Sequence, residues 1–321
     1  MRQLFSCFLF QTRPGDGLSP RRRAAFWLWN ALLVTGAAVG LGLASLLLAT
    51  GQYSARVLLL DYICHPVLLL LNLLPPLLLV GLLYAATGRA WLACLLAALP
   101  VLGLSLGNYY KLAFRDDPVI ASDLLILGEA GKMAGQYKLF FSNKVALALL
   151  CAAGSVLVLA LFARGRPRGR VRAGLAAAAA VCSAVLIPVY ASDSVYSKNT
   201  NTAHINQWST TQQYVSRGLL YPFLHSVKDA LPDPPEGYNQ KEAEALLAQY
   251  QDKDIPEDKK VNVVAVMLEA FTDFSAFEGI EFAKDVYARY HALEAESYTG
   301  NLLTNIFAGG TVDSERCFLT G

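Results

Sequence analysis

RRRAAFWLWNALLVTGAAVGLGLASLLL, residues 21–48, decides how the chain is read. Three arginines are followed by an uncharged apolar run from Ala24 to Leu48. A helix crosses the hydrocarbon of a bilayer with about 20 residues, so this run is long enough. It is also too long and too far from the N-terminus for a secretory signal peptide. Four more runs of similar character follow at Val57–Leu83, Ala90–Leu106, Val145–Phe162 and Val171–Val189. The 321 residues are 55% hydrophobic and only 16% charged, which excludes an ordinary soluble protein.

The arginines orient these five spans, because basic residues collect in cytoplasmic turns. Arg21–Arg23 precede the first span, and Arg89 lies between the second and third. Arg164, Arg166, Arg168, Arg170 and Arg172 crowd the turn between the fourth and fifth. All three places fall on one side if every segment crosses once. The N-terminus is therefore expected in the cytoplasm and everything after Val189 outside. Pro75, Pro76 and Pro100 read as prolines tolerated within a bundle. Asn72 reads as a helix–helix hydrogen bond rather than a transport site.

Residues 107–143 form a long external loop in this reading, with Asp123 to Met133 as an interfacial amphipathic helix and Tyr109 and Tyr110 in an aromatic belt. The cysteines are scattered singly with no Cys-x-x-Cys spacing, so neither a zinc site nor a disulfide framework is indicated. The histidines form no ligand pair at helical spacing. The net charge is +2, and no nucleic-acid partner is expected.

From Tyr190 the composition turns polar, and residues 190–260 read as extracellular linker helices. Val215, Leu219, Phe223, Val227 and Leu231 recur every fourth position as one helix face, with Pro222 starting or kinking it. That helix is expected to pack on the membrane surface or on an outer domain. Asn239 caps a helix running to about Tyr250, with Glu242 three residues on. Val261–Leu268 is a short β-branched run, the pattern of a buried strand, and it ends at Glu269. Lys284–Glu296 reads as a helix and Tyr298–Phe307 as a second strand. These elements open an α/β domain over 261–321.

The second strand leads into Ala308-Gly309-Gly310-Thr311-Val312-Asp313-Ser314-Glu315. Thr311 has the position of a helix N-cap, with Asp313 and Glu315 in the first turn. A helix start with two glycines before it also suits a phosphate, whose oxygens meet free N–H groups. On pattern alone the cap reading is the commoner one. Glu269 at the C-terminal end of a strand is either a metal ligand or a solvated strand end.

Two segments resemble the lipoteichoic acid synthase family of membrane phosphoglycerol transferases. They are Val263–Phe271 (VVAVMLEAF) and Phe307–Gly321 (FAGGTVDSERCFLTG). The resemblance implies five transmembrane helices followed by the start of an α/β sulfatase/alkaline-phosphatase-like extracellular domain. It implies Glu269 as a ligand of Mn²⁺ or Mg²⁺, and Thr311 as both metal ligand and nucleophile. The implied reaction moves glycerophosphate from phosphatidylglycerol to a cell-envelope glycolipid or teichoic acid acceptor. The family's other metal and substrate ligands lie downstream of the threonine, and this chain stops at Gly321, so the chain as given is expected to be truncated and inactive. Two other readings stand beside this one. Lipid phosphoethanolamine transferases share the topology and a nucleophilic threonine. A non-catalytic membrane scaffold would leave Glu269 and Thr311 purely structural.

Overall fold

The computed structural model describes residues 19–126, 128, 140–163, 165–199, 209–230, 237–250, 256–262, 264–268, 271–300, 314–315 and 318. The chain divides into two compact units, Met1–Asp233 and Pro234–Gly321.

The first unit is a helical bundle. Among the described residues, its five helices long and apolar enough to cross a membrane are α1 (Pro20–Ala49), α3 (Pro66–Thr87), α4 (Ala90–Arg115), α5 (Asn143–Phe162) and α6 (Gly169–Ala191). The short α2 (Ala55–Cys64) precedes α3. The expected span over Val57–Leu83 is thus divided at His65. Proline at the first position of α3 disfavours helical backbone in the residue before it, and His65 takes φ −111°, ψ 82°. Asp61 falls in α2 and so stays out of the long helix. Pro75, Pro76 and Pro100 lie inside α3 and α4.

Small side chains let these helices approach. α1 is the hub, packing on α3, α4 and α5, whereas α6 packs on α3 and is otherwise largely exposed. Ala37, Ala38, Leu41 and Ala44 of α1 are buried with Ala93, Cys94 and Ala97 of α4 and Ala148 and Ala152 of α5. At Gly42 a Cβ would lie 2.5 Å from Leu73 of α3. The Ser105 hydroxyl donates to the Val101 carbonyl (2.6 Å) and accepts from the Ser45 hydroxyl (2.9 Å), tying α4 to α1.

Hydrogen bonds tie down the bundle's turns as well. In the turn between α5 and α6, the Gly165 N–H donates to Asn30 Oδ1 (3.0 Å) and its carbonyl accepts from the Tyr84 hydroxyl (2.8 Å). Arg172 reaches the C-terminal end of α3, where Nε donates to the Ala85 carbonyl (2.7 Å) and Nη2 to that of Ala86. A cation there complements the helix dipole. At the other end Lys144 Nζ donates to Thr50 Oγ1 (2.8 Å) and to the carbonyls of Gly51 (2.8 Å) and Tyr53 (2.7 Å), closing the end of α1.

α4 runs to Arg115, nine residues into the expected external loop. Its polar end is satisfied internally. Asn108 Oδ1 accepts from the Val119 N–H (2.9 Å), and Lys111 pairs with Asp117 and Asp123 at 2.8 Å each. Tyr109 and Tyr110 pack in an aromatic cluster with Phe140. Residues Ala121–Ile126 form a 3-10 turn, and most of the expected interfacial helix lies outside the described residues.

Beyond α6 come α7 (Asp193–Lys198), α8 (Thr210–Ser216) and α9 (Leu220–His225). Tyr214, Val215, Leu219, Leu220, Tyr221 and Phe223 are all buried. This segment is not a surface linker: it is set into the bundle at the end opposite the arginine-rich turns, with α9 against α3 and α6. Pro222 sits in the first turn of α9, where its missing N–H costs no helical bond.

The second unit holds α10 (Gln240–Leu247), α11 (Ala288–Ala295) and short 3-10 turns. The Asn239 side chain accepts from the Lys241 N–H (3.0 Å), as its capping role requires. The expected strand over Val261–Leu268 does not form: its described residues are irregular and solvent-exposed, Val264 by 83%. A β-branched run has the propensity for a strand but needs a neighbouring strand to pair with, and among the described residues none runs beside it. Tyr298–Gly300 are likewise irregular, and the rest of the second expected strand lies outside the described residues.

Candidate functional site

Glu269 and Thr311 both lie outside the described residues. Their described neighbours do carry geometry. Leu268 is exposed, and Phe271 packs against Tyr290 of α11 with ring centroids 4.9 Å apart. Ser314 and Glu315 have helical backbone. Among the described residues no group of three or more His, Cys, Asp or Glu side chains converges as a metal site would.

The segment just after Glu269 is anchored by a polar cluster that sequence reasoning missed. Asp273 Oδ1 accepts from the Ser275 N–H (2.9 Å) and the Ser275 hydroxyl (2.5 Å). Its Oδ2 meets His291 Nε2 at 2.7 Å, while Asp285 lies 3.8 Å from His291 Nδ1. The Tyr287 hydroxyl donates to the Thr272 carbonyl (3.0 Å). The bond from Ser275, then that from His291, holds the Asp273 carboxyl below the usual carboxylate range. The bond to Asp273 raises the His291 imidazole above its ordinary value. Because one carboxylate serves both Ser275 and His291, the group works as a clasp between the 272–276 turn and α11. The sequence carries one trace of it, an Asp-x-Ser turn pattern at Asp273–Ser275.

A second polar cluster lies inside the bundle, and its centre is Asn72. The side chain of this residue, 1% exposed, is used in full. Nδ2 donates to the carbonyls of Leu68 (2.9 Å) and Arg217 (2.8 Å). Oδ1 accepts from the N–H groups of Leu219 and Tyr221, both at 3.2 Å. Asn72 thus serves the irregular backbone between α8 and α9 rather than a second membrane helix. Unpaired polar backbone at such depth would be costly, and one amide supplies both kinds of partner. Gly218 makes the approach possible: it has φ +95°, and a Cβ there would lie 2.5 Å from Asn72 Oδ1.

Around this hub the Tyr62 hydroxyl donates to the Val215 carbonyl (2.5 Å) and the Tyr190 hydroxyl to that of Leu71 (2.6 Å). Arg217, 5% exposed, lies over the Tyr196 ring with its Cζ 4.2 Å from the centroid. It donates to the carbonyls of Gln213 (2.8 Å) and Tyr196 (3.2 Å). The opposite face of Tyr196 stacks on His225 at 3.9 Å. His225 Nδ1 donates to the Tyr190 carbonyl (2.7 Å), and Nε2 lies 3.3 Å from Asp193, which also pairs with Lys228. Cation–π attraction and hydrogen bonds to two carbonyls hold this cation in place.

No family model, curated protein or solved structure matches the chain.

Proposed function

We propose that the chain belongs to a membrane phosphoglycerol transferase of the lipoteichoic acid synthase type, with Thr311 as its nucleophile. What supports the reading is that, among the described residues, five helices are long and apolar enough to span, with arginines gathered at one end of the bundle. If each of these helices crosses once, Glu269 and Thr311 would both lie on the outer side, where a lipid headgroup and an envelope acceptor meet. The two short segments around them supply the chemistry.

In this reading the N-terminus is cytoplasmic and residues 261–321 contribute the first part of a sulfatase-like α/β domain. Thr311 Oγ attacks the phosphorus of phosphatidylglycerol, and the bond to diacylglycerol breaks with that oxygen taking a proton. A hydroxyl of the glycolipid or teichoic acid acceptor then attacks the glycerophospho-threonine and frees Thr311. Glu269 and Thr311 would hold a divalent cation, and oxygen ligands of this kind suit Mn²⁺ or Mg²⁺. A dication there makes the threonine alkoxide accessible near neutral pH. The clasp of Asp273 and His291 would hold the segment after Glu269 in place.

The test is headgroup transfer in the host's own membranes with the native copy carrying Thr311→Ala. Label from the glycerol of phosphatidylglycerol is expected to reach the acceptor in the parent strain. It should fall by about 1,000-fold or more in the variant, as for loss of a covalent nucleophile. Label arriving instead from phosphatidylethanolamine, or transfer unchanged by the substitution, would overturn the proposal.

A further inference from the structure

Between α3 and α6 lies a cavity of about 670 Å³, in the size range of small-molecule sites. Leu78, Leu79 and Leu82 line one wall, and Ala179, Ser183 and Ile187 line the other. At one end Leu224, Val227 and Lys228 close it off. Its apolar walls belong to two helices that read as membrane-spanning, so the space faces lipid rather than water.

We propose that this groove holds one acyl chain of a glycerophospholipid whose phosphate is taken by Lys228. The inference stands whether or not Thr311 transfers phosphoglycerol.

Length supports it. From Ala179 to Tyr190 the lining of α6 spans twelve residues, roughly 16 Å of helix. That is about half of a 30 Å hydrocarbon core, the depth of a single leaflet. Direction supports it too. Lys228 sits at the end away from the arginine-rich turns, where the leaflet's headgroups would lie. Its partner Asp193 is 81% exposed and shared with His225. The Lys228 ammonium carries three donors, so it can serve Asp193 and still give one to a phosphate oxygen. The small side chains of Ala179 and Ser183 would also admit a helix of a second copy, but an apolar helix offers nothing to the Lys228 charge.

The experiment uses the full chain in phosphatidylcholine nanodiscs. Three trace probes carry the same photoreactive acyl chain: phosphatidylglycerol, phosphatidylethanolamine and diacylglycerol. Both phospholipids are expected to label peptides containing Leu78–Leu82 and Ala179–Ile187. The excess over diacylglycerol, and over the exposed face of α5 at Leu147–Leu161, should be about tenfold, the low end for a hydrogen bond to a charged group. Lys228→Gln should bring phospholipid labelling down to the diacylglycerol level, and Ser183→Trp should remove it. The wild-type labelling map decides alone if either variant fails to fold. Equal labelling of all apolar faces overturns the proposal, as does diacylglycerol labelling as strong as the phospholipids'. So does a Ser183→Cys chain that crosslinks to a second copy and excludes the probes.

Discussion

At Asn72 one side chain meets four backbone groups of a segment about 145 residues away in sequence and of its own helix. Removing it leaves the Arg217 carbonyl and the Leu219 and Tyr221 N–H groups buried without a partner, at a cost of about 1–3 kcal/mol for each. Asn72→Ala is therefore expected to destabilise the bundle by about 3 kcal/mol, read as lost thermal stability in detergent. Gly218→Ala should do comparable harm by two routes, a positive φ and contact with Asn72. A change within about 0.5 kcal/mol in either variant would contradict the assigned hub. In the second unit, the clasp has its own pH window. The His291 value is raised, so its contribution is present below the ordinary imidazole value of about 6.5 and is lost as pH rises through the raised one. The Asp273 value is lowered, so its contribution is present above about 4 and is lost as pH falls through the lowered one. The pair should hold between those limits. Ring NMR of His291 should give a midpoint above the ordinary value that falls in Asp273→Asn; an unchanged midpoint would rule the clasp out.

Helices α8 and α9 show what an element gains from its surroundings. Neither has more than seven residues, too short for a helix to persist alone in water. Each is held by side chains of longer elements. The Tyr62 hydroxyl grips Val215, Asn72 grips the connection between them, and the Tyr190 carbonyl accepts from His225. The Tyr214 hydroxyl and Thr211 Oγ1 donate back to Val119 and Asp116, both at 2.6 Å. Tyr62→Phe should weaken this docking by about 1 kcal/mol. Amide exchange across residues 213–221 should then speed up about fivefold, with α1 unaffected. Equal acceleration throughout the bundle would mean that the segment is not a separately opening unit. The every-fourth-residue pattern marked a face on which Val215, Leu219 and Phe223 are buried, whereas Val227 is 51% exposed. It held no sign of what that face meets, because periodicity reports only that one side avoids water. It also left unmarked the break at Gly218, where the chain departs from a single helix.

On the scale of the molecule, a bundle of five long helices brings all its arginine-rich turns to one end. Cysteines placed at Arg166 and Lys198 in a cysteine-free background are therefore expected to react with an impermeant maleimide from opposite sides of the membrane. The first should require permeabilised cells, and reaction of both on intact cells would refute the topology. The first, fourth and fifth spans were readable from sequence to within four residues, since a run such as Val145–Phe162 has one way to satisfy its backbone in lipid. The second begins at Pro66 and the third ends at Arg115, each nine residues from the expected limit. Their limits moved where specific partners extended them, as at Asn108 and Lys111 in α4. The α/β elements of the second unit were less readable, because strands such as the one expected at Val261–Leu268 depend on pairing that a local pattern does not contain. Composition by itself determined which described residues form the long apolar helices and their order along the chain. Only the tertiary structure decided that residues 209–229 enter the bundle, that Asn72 receives them, and that Asp273 finds His291. Hydrophobicity acts locally along the chain, whereas a hydrogen bond between residues far apart exists only once the fold has brought them together.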